Sequence, residues 1–233
     1  MTKSPTPREL GTTMTTLNVS HEIKQFVSRV LDRCFRAETA QTVSRAELGT
    51  RDGEVGYEPS RWLTFAVAIP HDWITENDVF LDVGCGKGRV LLQAARHPFK
   101  RVVGIERSEQ LVSVTRKNIQ VAERNLVCPV EIVCADATTW IPPNDLTVVY
   151  MYSPLRGDLM RAVRDQLTQL ATRRGTPLRI VYVNPVEHQM LLEHPQISEL
   201  KPPRALAMRM AGHPRGGIRR YLVRPTEAGA ADE

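Results

Sequence analysis

One stretch decides the fold of this chain: residues 79–91 read Val-Phe-Leu-Asp-Val-Gly-Cys-Gly-Lys-Gly-Arg-Val-Leu. Four of its first five residues are apolar, which predicts a buried strand. Three alternating glycines follow, and an apolar helical pattern starts at Val90. A strand, a glycine turn and a helix in this order bring a nucleotide close to bare backbone. The stretch therefore predicts a site for a nucleotide-containing cofactor.

The residues around the turn indicate which cofactor that is. A dinucleotide fingerprint, Gly-x-Gly-x-x-Gly, counted from Gly84 needs a glycine at position 89. That residue is Arg89, and the third glycine comes one position early, at Gly88. The carboxylate of Asp82, just before the turn, would repel a pyrophosphate. S-adenosylmethionine has no phosphate and carries a sulfonium and an ammonium group, so a neighbouring carboxylate favours it.

Two more acidic residues follow predicted strands. Residues 101–105 are predicted to form a second strand, which ends at Glu106, 22 residues after Gly84 (106 − 84 = 22). This is the expected place for an acid that accepts hydrogen bonds from ribose hydroxyls. A third strand over 130–134 is followed by Asp136, and a carboxylate just beyond a strand can accept from an adenine amino group.

These segments, in this order, resemble the class I S-adenosylmethionine-dependent methyltransferases. The matching pieces are Leu-Asp-Val-Gly-Cys-Gly-Lys-Gly at 81–88, Val-Gly-Ile-Glu at 103–106, Cys-Ala-Asp-Ala at 134–137 and a fourth apolar strand at 146–152. The resemblance covers roughly residues 55–225. It implies an α/β fold: a doubly wound, mostly parallel, seven-stranded Rossmann-like sheet.

The resemblance also implies roles for individual residues. Asp82 and the turn glycines Gly84, Gly86 and Gly88 would hold the methionine end of the cofactor, Glu106 the ribose, and Asp136 with Ala137 the adenine. Each role has a structural alternative. The glycines could serve only a tight turn, Glu106 could be a solvated acid at a strand end, and Asp136 could be a helix N-cap.

The chain order predicts the remaining elements. Strands are expected at 145–152 and 178–183, and helices at 88–97, 108–124 and 156–173. The resemblance implies a final antiparallel pair near 197–202 and 217–224. Alternating strands and helices with short links predict a parallel, doubly wound sheet. Residues 1–19 are predicted to be a disordered tail, 20–54 a helical extension that either packs on the core or forms a lid, 55–225 the cofactor-binding domain and 226–233 a loose tail.

The loop after the fourth strand bears on the methyl acceptor. Methyltransferases that act on base amino groups or glutamine amides resemble one another in an Asn/Asp-Pro-Pro-aromatic motif there. This chain has Ser153-Pro154-Leu155-Arg156, which keeps the proline and lacks the amide and the aromatic residue, so adenine methylation is disfavoured. Tyr152 ends the strand on the same face as Tyr150. Ligands bind at the carboxyl edge of such sheets, where Asn184, Glu187 and His188 follow the fifth strand. We therefore expect Tyr152, Ser153 and Asn184 on the acceptor side, with His188 more typical of a surface histidine.

An aromatic residue precedes the first core helix. Tyr57 lies in Tyr57-Glu58-Pro59-Ser60, which is similar to the segment before the glycine turn in methyltransferases of protein lysines, including the Dot1-like group. Tyr57 is expected either to cover the bound adenosine or to pack under a loop.

Composition limits the partners. The net charge is +5, and seven basic residues lie between Glu199 and Glu227 with no acid among them. Such a cluster could meet nucleic acid, although few aromatic residues accompany it, or it could be a solvated face. No apolar stretch approaches the ~20 residues of a membrane span, and no signal peptide is evident. The four cysteines have no metal-binding spacing, which predicts a cytoplasmic protein without a metal site.

The predicted function is therefore S-adenosylmethionine-dependent methyl transfer to a small-molecule, peptide or protein acceptor, possible lysine targets included. The oligomeric state stays open. Three alternatives remain: a non-catalytic cofactor-binding module, a nucleic-acid methyltransferase and an NAD-dependent oxidoreductase. The position of Gly88 and the charge of Asp82 argue against the oxidoreductase.

Overall fold

The computed structural model describes residues 26–201 and 217–226. Its centre is a seven-stranded sheet in the order β3-β2-β1-β4-β5-β7-β6. The first five of these are parallel to one another, and β7 runs antiparallel to both β5 and β6. The strands are β1 (Val79–Val83), β2 (Arg101–Glu106), β3 (Val130–Cys134), β4 (Leu146–Tyr152), β5 (Leu178–Val183), β6 (Ile197–Glu199) and β7 (Ile218–Val223).

Helices cover both faces of this sheet. They are α1 (described over 26–35), α2 (Arg45–Leu48), α3 (Thr64–Ala68), α4 (Arg89–Ala94), α5 (Glu109–Ala122), α6 (Gly157–Arg174) and α7 (His188–Leu192), with 3₁₀ turns at His71–Trp73 and Glu123–Asn125. Helix α5 begins where the Ser108 hydroxyl accepts from the Leu111 N–H, as an N-cap should. Helix α6 ends at Gly175, which adopts the left-handed conformation that favours glycine.

The predicted doubly wound, mostly parallel sheet is confirmed, including its antiparallel final pair. The five parallel strands lie where the apolar runs predicted them, and the final pair lies within the regions that the resemblance implied. Helix α4 is shorter than the predicted 88–97, because the chain leaves the helix before the loop that contains Phe99. The predicted tails 1–19 and 227–233, and most of the basic stretch, lie outside the described residues.

Alternation along the strands produces two apolar layers. Leu81 and Met151 face the layer that α6 covers, whereas Phe80, Val148 and Tyr150 face the layer that α3 and α4 cover. All of β1 is buried, Asp82 included. Because side chains of paired parallel residues share a face, Asp82 lies on the same side of the sheet as Tyr150, its Cα partner on β4.

The N-terminal segment packs on the domain around one buried cation. Arg89 donates to the side chains of Asp32 at 3.1 Å and Thr39 at 2.7 Å, and to the Ser60 carbonyl at 2.6 Å. The Phe35 ring stacks on Trp62 at a centroid distance of 3.9 Å. Of the two alternatives for this extension, helix α1 therefore packs on the core, while the chain after α2 approaches the cofactor side.

No helix within residues 26–201 and 217–226 combines the length and the apolar character required to cross a bilayer.

Candidate active site

A cavity of about 260 Å³ lies at the carboxyl ends of the parallel strands. It occupies the point where the chain order reverses between β1 and β4, which is where ligands bind in open α/β sheets. All but one of the predicted site residues lie on its wall: Tyr57, Asp82, Gly84, Gly86, Glu106, Asp136, Ala137, Tyr152, Ser153 and Asn184. The exception is Gly88, which lies behind the wall. Gly88 is the N-cap of α4 and has a φ of 80°, and a Cβ there would come within 2.7 Å of Thr115.

The turn after β1 requires glycine at two positions on the cavity wall. Gly84 has φ 74°, and a Cβ would meet Pro154 at 2.9 Å. Gly86 has φ 56°, and a Cβ would lie 2.3 Å from the Tyr57 ring. The ring of Tyr57 therefore lies directly on the backbone of the turn, and its hydroxyl donates to the Thr39 carbonyl at 2.8 Å. The aromatic residue is at the cavity, and it covers the glycine turn.

Two carboxyl groups meet beneath this turn. Glu106 accepts from the Gly86 N–H at 3.1 Å and from the Ser108 N–H at 2.9 Å. Burial raises the pKa of Asp82 to about 8, and the nearby charge of Glu106 adds to the shift. Burial also raises the pKa of Glu106, although its backbone hydrogen bonds act in the opposite direction.

Asp82 forms no ion pair within the described part of the chain. Only 3% of it is exposed. Because burying a carboxylate without a partner is costly, this position favours a ligand that brings a positive charge. The bare backbone of Gly84 and Gly86 and the acid beside it fit an ammonium-bearing cofactor better than a pyrophosphate.

Asp136 is held by protein groups on both oxygens. One accepts from the backbone N–H and the hydroxyl of Thr138 at 2.9 and 2.7 Å, and the other forms a 2.6 Å ion pair with Arg51. Burial raises the pKa of Asp136, but these bonds outweigh it, so the pKa is lowered. An adenine amino group would therefore share this carboxylate with Arg51 or displace it.

Arg51 belongs to a loop that contributes Thr50, Glu54 and Val55 to the cavity wall. Its guanidinium also pairs with Glu54 at 3.1 Å, and Glu54 in turn pairs with Arg107 at 2.8 Å. On the other side of the mouth, the Gly53 carbonyl accepts from the Arg156 N–H at 2.7 Å. The loop thus joins the adenine side of the site to the loop after β4.

The acceptor side contains two strained residues. Ser153 after β4 and Asn184 after β5 have φ values of 46° and 51°, the left-handed region that non-glycine residues seldom adopt. The Ser153 hydroxyl donates to the Asn184 carbonyl, which ties the two loops together. Backbone strain of this kind clusters at functional sites. Ser153 therefore shapes the cavity wall through its hydrogen bond to the backbone of Asn184.

Several site features were not predicted from the sequence. Tyr150 lies on the wall beside Tyr152, and so do Glu54, Arg89 and Arg107. The two other candidates after β5 do not reach the cavity. Glu187 accepts from the Gly157 N–H, and His188 forms a 2.8 Å hydrogen bond with the Tyr221 hydroxyl.

Comparison with known proteins identifies the domain. Residues 80–175 match a family model described as a methyltransferase domain. The chain is 33% identical over 67 residues to the carboxy-S-adenosyl-L-methionine synthase of Histophilus somni, which is 28% of this chain and 27% of that protein. It is 34% identical over 95 residues to a probable cobalt-precorrin-6B C(15)-methyltransferase (decarboxylating) of Methanothermobacter thermautotrophicus, which is 40% of this chain and 48% of that protein. The match thus spans less than half the length of either relative.

Among solved structures, a candidate rRNA methylase from Clostridium thermocellum aligns with a TM-score of 0.50 at 14% identity. The alignment covers 73% of this chain and 99% of that one, and it supports the fold alone. Together with the family match, these findings bear out the predicted resemblance. Residues 80–175, less than half of the chain, resemble a methyltransferase domain, and the sheet has the Rossmann-like fold of the class I S-adenosylmethionine-dependent methyltransferases.

Proposed function

We propose that this methyltransferase domain makes the chain an S-adenosylmethionine-dependent methyltransferase that acts by direct in-line transfer to a small-molecule, peptide or protein acceptor. The observation that supports this most is Asp82. It is a buried acid without an ion-pair partner in the described chain, and it lies between a bare glycine turn and Glu106. A cationic ligand that needs close backbone approach suits this position.

The order of the strands arranges the cofactor contacts along the sheet edge. Asp136 and Ala137 follow β3, Glu106 ends β2, and Asp82 with the glycine turn ends β1. Neighbouring strands lie about 4.8 Å apart, so these groups form successive contacts for an extended ligand. We assign adenine, ribose and methionine to them in that order. The carboxyl ends of β4 and β5 then remain for the acceptor.

The protein's own part in such a reaction is chiefly positional. Bound S-adenosylmethionine supplies an activated methyl group with a good leaving group. The residues of this chain orient the donor and acceptor and keep water out, and such positioning alone can provide much of the rate. Ion pairs with Asp136 and Arg107 hold the loop that contains Arg51 and Glu54 beside the cavity, where it can limit the access of water.

Three described basic residues of the stretch between Glu199 and Glu227 bind protein groups. Arg219 pairs with Glu199 at 2.8 Å, Arg220 is buried and donates to the Ala68 carbonyl, and Arg224 donates to the Ser198 hydroxyl. These contacts favour a structural role for this part of the basic stretch.

Calorimetry with S-adenosylhomocysteine and NAD, in parallel, tests the cofactor assignment. We expect S-adenosylhomocysteine to bind and NAD not to bind. Glu106→Gln should weaken binding by about 1–3 kcal/mol, the usual value of a hydrogen bond to a charged group. Glu131→Gln, on the exposed side of β3, is the matched control and should leave binding unchanged. Binding of NAD alone would refute the proposal.

Transfer itself needs a second experiment. The full chain is incubated with radiolabelled S-adenosylmethionine and, separately, with a metabolite pool and a protein lysate. Label in a small molecule, peptide or protein supports the proposal. Tight cofactor binding without label in either pool would instead indicate a non-catalytic cofactor-binding module.

A further inference from the structure

Tyr150 has an unusual place on the cavity wall. It is fully buried, and its hydroxyl finds no hydrogen-bond partner of suitable geometry among the described residues. Its neighbours are Asp82, Tyr152 and the side chain of Ser60. Buried hydroxyl groups are normally hydrogen-bonded, so an exception on the wall of a ligand cavity indicates that the ligand supplies the missing partner.

The position of Tyr150 on the sheet indicates which ligand that is. The proposed cofactor contacts lie at the ends of β1, β2 and β3, whereas Tyr150 and Tyr152 are on β4, beyond β1 from the ribose and adenine contacts. The Tyr150 hydroxyl therefore borders the part of the cavity that remains for the acceptor. Ser153 and Asn184 enclose the same part from the adjoining loops.

The charges of the wall limit the chemistry of that acceptor. Five acids and three arginines line the cavity: Glu54, Glu58, Asp82, Glu106 and Asp136, against Arg89, Arg107 and Arg156. The three guanidinium groups are bound by the protein itself. Arg89 pairs with Asp32, Arg107 with Glu54, and Arg156 donates to the Ser153 and Leu155 carbonyls. The acids are engaged as well, since Glu54 pairs with Arg107 and Asp136 with Arg51, and Asp82 and Glu106 are the proposed cofactor contacts. The acceptor side therefore offers no guanidinium free to bind a carboxylate, and its hydroxyl oxygens can accept from a group that donates N–H bonds.

We infer that the acceptor is an amine and that the Tyr150 hydroxyl is a positioning residue that accepts a hydrogen bond from its nitrogen. This inference rests on the proposed function. An N–H bond directed at Tyr150 turns the nitrogen lone pair toward the methyl carbon. That lone pair forms the new N–C bond while the S–C bond breaks, and the electron pair of the S–C bond stays on sulfur. The resulting methylammonium then loses a proton to solvent.

Three small acceptors of equal length test the inference: n-butylamine, n-butanol and butyrate, each with radiolabelled S-adenosylmethionine and the full chain. We expect label in the amine alone, at a rate that rises with pH as the amine loses its proton. Tyr150→Phe should lower the rate with n-butylamine by about tenfold, the value of one hydrogen bond. The affinity for S-adenosylhomocysteine should fall less than the rate, because Tyr150 lies beside Asp82 but is not itself an assigned cofactor contact.

Tyr221→Phe is the matched control. Tyr221 is a fully buried tyrosine outside the cavity, and its hydroxyl has a partner in His188. This variant should keep the wild-type rate, so a loss confined to Tyr150→Phe is not a general effect of removing a buried hydroxyl. Methylation of butanol or butyrate instead of the amine overturns the inference. So does an unchanged rate in Tyr150→Phe, or no amine methylation by a protein that binds S-adenosylhomocysteine. A protein that binds no S-adenosylhomocysteine refutes the proposed function itself.

Discussion

Replacing Asp82 by asparagine should stabilise the protein in the absence of a ligand. In the folded state burial raises the pKa of Asp82 to about 8. In the unfolded chain it is about 3.9. At pH 7 folding therefore requires proton uptake against about three pH units, which costs about 4 kcal/mol at 1.36 kcal/mol per unit. Asparagine has a similar shape and does not ionise, so Asp82→Asn removes this cost.

The sign of the effect depends on pH. A folded-state pKa above the unfolded value leaves stability unaffected below about pH 4, where both states are protonated, and lowers it progressively up to about pH 8. The difference in unfolding free energy between Asp82→Asn and the wild type should therefore be near zero at pH 4, about 1–2 kcal/mol at pH 5 and about 4 kcal/mol at pH 7. Urea unfolding followed by circular dichroism at these three values measures it.

Asp145→Asn is an opposite-sign control. Hydrogen bonds and ion pairs with Arg101 and Lys100 hold the pKa of Asp145 well below its usual range. Its carboxylate stabilises the fold above the unfolded pKa, and that stability is lost as the pH falls. Asp145→Asn should therefore be less stable than the wild type at pH 7. If Asp82→Asn were also less stable at pH 7, or its advantage did not change with pH, the account of Asp82 as a buried acid without compensation would be wrong.

Three further predictions concern the same cavity. The affinity for S-adenosylmethionine should rise about tenfold per pH unit below about pH 8, because binding expels the proton of Asp82, and should fall again at higher pH as the ammonium group of the ligand loses its proton. Calorimetry across pH measures this, and a flat profile contradicts it. Gly86→Ala should destabilise the fold by more than ~1 kcal/mol, because the φ of Gly86 is 56° and a Cβ there would enter the Tyr57 ring. Urea unfolding measures this loss. Adding Tyr57→Ala should recover only the part of the loss that comes from the clash with the ring. Arg51→Ala should change the free energy of unfolding by less than ~1 kcal/mol, because the ion pair of Arg51 with Asp136 is partly exposed. If this ion pair must open for the ligand to enter, the variant should bind S-adenosylhomocysteine faster in stopped-flow measurements. An unchanged association rate would show that the ion pair does not have to open.

The elements that were predictable from the sequence are those whose signal is local. The strand over Val79–Val83 is a continuous apolar run because it is buried on both faces, and such runs stand out in any sequence. The turn glycines are equally visible, because the left-handed φ of Gly84 and Gly86 leaves little choice of residue. The carboxyl edge of a parallel sheet then brings Asp82 and Glu106 together without further information.

The contacts that sequence reasoning missed join distant parts of the chain. Arg51 meets Asp136, 85 positions away (136 − 51 = 85), and no local pattern relates the two. Strand alternation placed Tyr150 and Tyr152 on one face, but it gave no measure of depth, and only the structure shows that the Tyr150 hydroxyl is buried at the cavity. Gly88 was predicted to contact the cofactor but caps a helix instead, because glycine spacing alone does not distinguish these two roles.

Arg89 connects the absence of a dinucleotide fingerprint to the architecture of the site. At the position where that fingerprint needs a glycine, this chain has a long cation whose guanidinium binds Asp32, Thr39 and the Ser60 carbonyl. Such a buried, charge-assisted network is costly to break once one partner is removed. The Arg89 network holds the N-terminal segment against α4. The same part of the chain supplies Tyr57 and the Glu54 loop to the cavity wall. Arg89 thus replaces the glycine that a dinucleotide site needs, and it also anchors the segment that places Tyr57 at the proposed S-adenosylmethionine site.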